Sequence, residues 1–92
     1  LVLKAARNYK VECASCHGMS GRGDGPDVGK LDTRPKDFTR ANFWDDGTIK
    51  DIVQVVTLGE APDMPAFGNR LTPEEILALA KHIEANFRPK SR

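Results

Sequence analysis

Residues 13–18 read Cys-Ala-Ser-Cys-His-Gly, and they hold both cysteines of a 92-residue chain and one of its two histidines. Two thiols three residues apart, followed at once by an imidazole, suit only a short list of chemistries. A structural disulfide, a zinc site, a thiol redox pair, an iron–sulfur cluster and a covalently attached porphyrin each require different company elsewhere in the chain. The remainder of the sequence therefore decides among them.

Three segments carry helical periodicity. In residues 1–13, Val2, Ala6, Tyr9 and Cys13 make one stripe at helical spacing. In residues 48–59, Ile49, Ile52, Val53 and Val56 make an apolar face, Asp46 or Thr48 is suited to cap the start, and Gly59 suits the far end. The third segment, residues 71–87, is the clearest. Thr72 stands at the N-cap, Pro73 at the first helical position and Glu75 two residues on, a capping box. Ile76, Leu79, Ala80, Ile83 and Phe87 then line one face, and Pro89 stops the helix. No segment carries a strand signal, since Val55 and Val56 fall within a helical period.

Between the first two helices, residues 18–44 contain five glycines and two prolines with little periodicity. So long a loop is uncommon in a compact domain unless it binds something. Three helices and one long loop also offer little apolar surface for a core. The expectation is an all-α single domain over residues 1–92 whose centre is filled by a bound group.

Each alternative to a porphyrin fits the chain less well. A Cys13–Cys16 disulfide closes too short a loop to contribute much and leaves His17 unused. A thioredoxin-like pair belongs beside a βαβ pattern, which is missing. Zinc takes four ligands, and beyond Cys13, Cys16 and His17 the chain offers only His82. An iron–sulfur cluster takes about four thiolates. Cys-x-x-Cys-His, by contrast, matches covalent attachment of c-type haem. The two thiols add across the vinyl groups on one side of the ring, and the next residue presents its imidazole to the iron.

The other axial position needs a second donor. Met19 lies too close to His17 to reach around a ring. Met64 stands far along the chain, in a loop stiffened by Pro62 and Pro65. Its alternative role is to fill a gap in a core, and His82 is the rival ligand.

Taken in order, these features resemble those of class I (mitochondrial-type) bacterial cytochromes c in their small monohaem form. The resemblance runs through Ala6-x-x-Tyr9, Cys13-Ala14-Ser15-Cys16-His17-Gly18 and Gly21-x-Gly23-Asp24-Gly25-Pro26. It continues through Pro35-x-Asp37-Phe38-Thr39, Ile49…Gly59, Met64-Pro65-Ala66-Phe67-Gly68 and Leu71-Thr72…Glu75-Ile76…Ile83. It implies the cytochrome c fold, three main helices and long loops wrapped around one haem c and its iron. Cys13 and Cys16 would carry the thioethers, and His17 and Met64 would ligate the iron. The Pro26 carbonyl would accept a hydrogen bond from His17 Nδ1–H, making the imidazole a better donor. Ala6 would let the first helix cross the third closely. Such proteins often have glycine where Ala6 stands and an aromatic residue where His82 stands. Arg34, Arg40 and Trp44 are the candidates for the haem propionates.

The function implied is one-electron transfer between a redox donor and acceptor, without catalysis by the domain itself. The alternatives are a haem domain or subunit of a larger oxidoreductase, third a peroxidase or ligand sensor and, as a remote fourth, a zinc module. A formal net charge of +1 and no basic tract give no sign of nucleic-acid binding. Residues 1–40 hold eight Lys/Arg against five Asp/Glu and residues 41–92 six against eight, an asymmetry read first as solvated surface; two propionates and a ferric core would bring the formal charge near zero, which leaves partner choice to local patches. No apolar run reaches the roughly 20 residues of a membrane span, and no secretory signal opens the chain. A start at Leu1 and a basic end, Arg-Pro-Lys-Ser-Arg, are compatible with a longer protein. Because haem is attached on the outer side of the energy-transducing membrane, the resemblance implies a bacterial periplasmic location, as a monomer.

Overall fold

The computed structural model describes residues 2–46 and 48–90, without the side chain of Asp46; Leu1, Gly47, Ser91 and Arg92 lie outside. A continuous helical run opens the chain. It comprises α1 (Val2–Asn8), a π-helical turn (Tyr9–Cys13) and α2 (Ala14–His17). The short α3 (Ala41–Asp46), then α4 (Ile49–Leu58) and α5 (Pro73–Phe87) complete the set. Among the described residues there is no strand, only an isolated bridge between Glu60 and Met64.

Helix α5 packs against both α1 and α4. Its start is the capping box: Thr72 Oγ1 accepts from Glu75 N–H at 3.1 Å, and Glu75 accepts from Thr72 N–H at 2.8 Å. Its end is Arg88, in extended conformation before Pro89, where a proline excludes the helical region from its predecessor. Ile76, Leu79, Ala80 and Ile83 are buried along one face, and full burial of a Leu or Ile side chain is worth roughly 1.5–3 kcal/mol. Helix α4 starts with a second capping box, between Thr48 and Asp51. Thr48 is thus the cap; the side chain of Asp46, the other candidate, lies outside the described residues.

The first stripe falls one residue away from the expected one. Ala5, Tyr9 and Cys13 are buried, whereas Ala6 is exposed and Val2 is 80 % exposed. Tyr9 anchors the face, and either alanine one turn before it satisfies a helical spacing. The α5 wall selects Ala5, and Lys4 beside it pairs with Glu75. Close approach of α1 to α5 therefore belongs to Ala5, not Ala6.

Residues 18–44 are more ordered than their glycine content suggests. The peptide N–H groups of Gly23, Gly25 and Asp27 donate to the carbonyls of His17, Cys16 and Ser15 at 2.8, 3.0 and 2.8 Å. The glycine-rich stretch thus supplies partners to carbonyls that end α2 without intrahelical donors. A short 3₁₀ turn (Val28–Lys30) follows, and α3 closes the segment. Helix α3 escaped the periodicity reading because six residues are too few to show a period.

Candidate functional site

Where α2, the 33–43 segment, α4 and the 60–67 loop meet, they enclose a cavity of about 590 Å³. That volume lies within the roughly 300–1,000 Å³ of pockets that hold a cofactor-sized ligand. Cys13, Cys16, His17 and Met64 all line it, with Ile52, Val56, Phe67 and Ile83 among the apolar side chains around them. His82 does not line it. It sits on α5 against Tyr9, ring centroids 5.6 Å apart, with Asn86 Nδ2 3.2 Å from its Nδ1. Met19 is 64 % exposed and lies outside the cavity as well.

The π-helical turn sets the position of the two thiols. Ala14 N–H donates to the Tyr9 carbonyl, an i→i−5 bond that widens the helix just before the cysteines. Buried Tyr9 then reaches across this turn and donates its phenolic O–H to the Gly18 carbonyl at 2.7 Å. Cys13 and Cys16 are free thiols. Burial, with Glu12 and Cys16 nearby, pushes the Cys13 thiol up to about 12. A thiol redox pair works through a lowered thiol, so this one is poorly suited to exchange chemistry.

The His17 ring stacks on Phe38 at 4.7 Å, and burial holds its imidazole below the ordinary range, which favours the neutral form, the one able to bind a metal. The expected partner of its Nδ1 was the Pro26 carbonyl. Here Nδ1 lies 3.3 Å from the Lys36 carbonyl, and Pro26 is exposed. The reason is local: Phe38 covers the ring face, and the same short segment brings the Lys36 carbonyl alongside.

Met64 is held by its own backbone. Its N–H donates to the Glu60 carbonyl and its carbonyl accepts from Glu60 N–H, both at 2.9 Å. Gly59 makes this fold possible, with φ 75° and ψ 175°. A Cβ there would lie 2.8 Å from both Met64 O and Ala66 N. Downstream, Phe67 and Gly68 N–H donate to Val56 and Thr57 carbonyls at the end of α4.

Arg34 and Arg40 line the cavity and also an adjoining cleft of about 410 Å³, together with Arg22, Pro35, Lys36 and Asp37. Trp44 does not share that position. Its indole N–H, the only donor of the side chain, is committed to the Phe38 carbonyl at 2.7 Å, so it serves to close the loop. Asp63 is a residue the sequence reading missed: its carboxylate accepts from Asp32 N–H, Thr33 N–H and the Thr33 hydroxyl. Adjacency to Met64 was the only signal, because its partners stand about thirty positions away.

The donor set fits a covalently held haem. Two unpaired thiols, an imidazole kept neutral and a thioether share one largely apolar cavity. Among the described residues no group of three His, Cys, Asp or Glu converges to hold a bare metal ion.

The comparisons with known proteins agree. Residues 2–83 match the family described as Cytochrome C oxidase, cbb3-type, subunit III. The chain is 35 % identical over 80 residues to the cbb3-type cytochrome c oxidase subunit FixP of Azorhizobium caulinodans, covering 87 % of this chain and 25 % of that protein. FixP of a Bradyrhizobium strain is 30 % identical over 80 residues, covering 87 % of this chain and 26 % of that protein. The chain thus spans about a quarter of the length of the curated relatives it matches. Among solved structures, the KustC0563 c-type cytochrome superposes with a TM-score of 0.78 at 27 % identity, over 92 % of this chain and 98 % of that one. Cytochrome c6 of the diatom Phaeodactylum tricornutum gives 0.68 at 30 % identity, over 91 % of each chain.

Proposed function

This chain belongs to the family of cbb3-type cytochrome c oxidase subunit III, and from that premise we propose that Cys13 and Cys16 hold its haem and that His17 and Met64 ligate the iron. The chain is an electron-transfer cytochrome c domain with covalently bound haem c, not an enzyme in itself. The haem, when bound, supplies one-electron exchange at its iron. What the chain's own residues contribute is geometry and medium. The π-helical turn and the Tyr9–Gly18 bond hold the two thiols in place. Phe38 orients His17 from its face, and the Lys36 carbonyl stands at Nδ1 in the position that strengthens a metal-bound imidazole. Met64, a weak donor in an apolar wall, favours the reduced state and raises the potential. Arg34 and Arg40 offer the propionates cationic partners at the cavity's edge.

Residues 1–92 form one domain in this reading, and it works as the haem-bearing module of a longer oxidase-type subunit. The match to about a quarter of a longer relative supports this assignment. A second reading, an independent monomeric carrier, draws support from cytochrome c6, which the chain covers almost end to end. No described helix is long and apolar enough to cross a membrane, and the periplasmic side is the proposed location.

The observation that carries the assignment is the convergence of Cys13, Cys16, His17 and Met64 on one cavity. The test is the absorption spectrum of the ferric protein. A far-red sulfur–iron charge-transfer band, lost in Met64→Ala, is expected, together with colour that stays with the chain after acid–acetone extraction. A band that survives in Met64→Ala would overturn the ligand assignment. Extractable colour would overturn the thioethers.

A further inference from the structure

We propose that Asp63 is a positioning residue that clamps the Met64 loop across the mouth of the cavity; this rests on the reading of Met64 as ligand. One oxygen of its carboxylate, Oδ2, accepts from Asp32 N–H at 3.0 Å, Thr33 N–H at 2.9 Å and Thr33 Oγ1 at 3.0 Å. Among the described residues these are the only hydrogen bonds between the 18–44 segment and the 59–71 loop. Elsewhere, among the described residues, the loop bonds to itself, through Glu60 and Met64 and through Arg70 and Leu71 to Phe67, to α4, through Gly59, Phe67 and Gly68, and to the π-helical turn, where Arg70 pairs with Glu12. Among the described residues, its tip, residues 61–65, makes no other hydrogen bond outside the loop. Thr33 and Asp63 both line the cavity, so the clamp joins two walls at the residue next to the thioether.

The consequence is a control on ligand exchange. An external ligand enters only from the form in which the methionine has left the iron. Its apparent affinity scales with the population of that form. Three bonds that exist only with the loop docked lower that population, and removing their acceptor raises it.

The experiment titrates ferric holoprotein with imidazole and follows loss of the far-red band. Met64→Ala serves as the separate control: if the band survives there, the ligand reading fails whatever Asp63 does. With that reading intact, Asp63→Ala is expected to bind imidazole roughly tenfold more tightly, the scale of three exposed bonds lost together. Asp63→Asn retains a carbonyl oxygen for the same donors and is expected to stay near the parent value. Thr33→Val removes the hydroxyl donor alone and is expected to give roughly a threefold change. A purely structural role would lower the melting temperature of Asp63→Ala and leave imidazole affinity unchanged well below it, which overturns the proposal. Equal effects of Ala and Asn overturn it too, since they assign the effect to charge. If Asp63→Ala does not accumulate as holoprotein, Thr33→Val decides, and an unchanged affinity there counts against the clamp.

Discussion

The phenol of Tyr9 donates to the Gly18 carbonyl while its ring packs against His82 and Phe87. Tyr9→Phe keeps the packing and leaves the Gly18 carbonyl with the Gly21 N–H alone as donor, so a loss of about 0.5–1.5 kcal/mol is expected in denaturant unfolding of the holoprotein. An unchanged midpoint would show that the bond adds nothing. His82 provides a pH test. Burial lowers its imidazole below the ordinary value, so the unfolded chain binds the proton first as pH falls. The stability it contributes is complete above that ordinary value, about 6.5, and is lost as pH drops toward the folded value. His82→Phe removes this component, and melting temperatures between about pH 8 and pH 5 should fall less steeply than in the parent. At Met64, exchange for histidine should lower the reduction potential by on the order of 0.1 V, within the roughly 0.8 V range over which axial ligands act. Spectroelectrochemical titration measures this, and an unmoved potential would remove Met64 from the iron.

At the scale of elements, two close approaches fix the loops. Gly25 packs its backbone on α2 so tightly that a Cβ would collide with the Ser15 carbonyl. Neither side of that contact is a flexible side chain, so Gly25→Ala should cost about 2–3 kcal/mol in thermal or denaturant unfolding. Gly59→Ala meets a backbone conformation that only glycine adopts readily, with a cost of about 1–3 kcal/mol. Because Gly59 turns the chain into the Met64 loop, this variant should also weaken the far-red band; a full-strength band would separate the turn from ligand placement. The helices themselves were legible in residue order: Thr72, Pro73 and Glu75 mark the start of α5 without reference to anything distant. The stripe of α1 was not, because Ala5 and Ala6 are chemically identical and only the facing helix distinguishes them.

For the whole molecule, the cavity sets the terms of stability. A domain of 92 residues buries a modest share of its surface, and Ile52, Val56, Phe67 and Ile83 turn part of that share toward the cavity. Filling it is therefore part of folding, through the same linkage by which any ligand stabilises the form that binds it. Chain made without haem attachment is expected to lose cooperative melting followed by near-ultraviolet circular dichroism, while keeping some helical signal. A cooperative transition close to that of the holoprotein would show that helix packing alone suffices.

Local chemistry was readable from the chain by itself. The spacing of Cys13, Cys16 and His17, the capping box at Thr72 and Glu75, the apolar periods of α4 and α5 and the isolation of Met64 between prolines all act over a few residues, and they announce an all-α haem protein. Tertiary structure decided what depends on residues far apart in the chain. It brought the Lys36 carbonyl, not that of Pro26, to His17, and it committed the Trp44 indole to Phe38. It also set Asp63 against Thr33. A hydrogen bond depends on where its donor and acceptor come to rest, and across thirty residues no pattern in the sequence specifies that position.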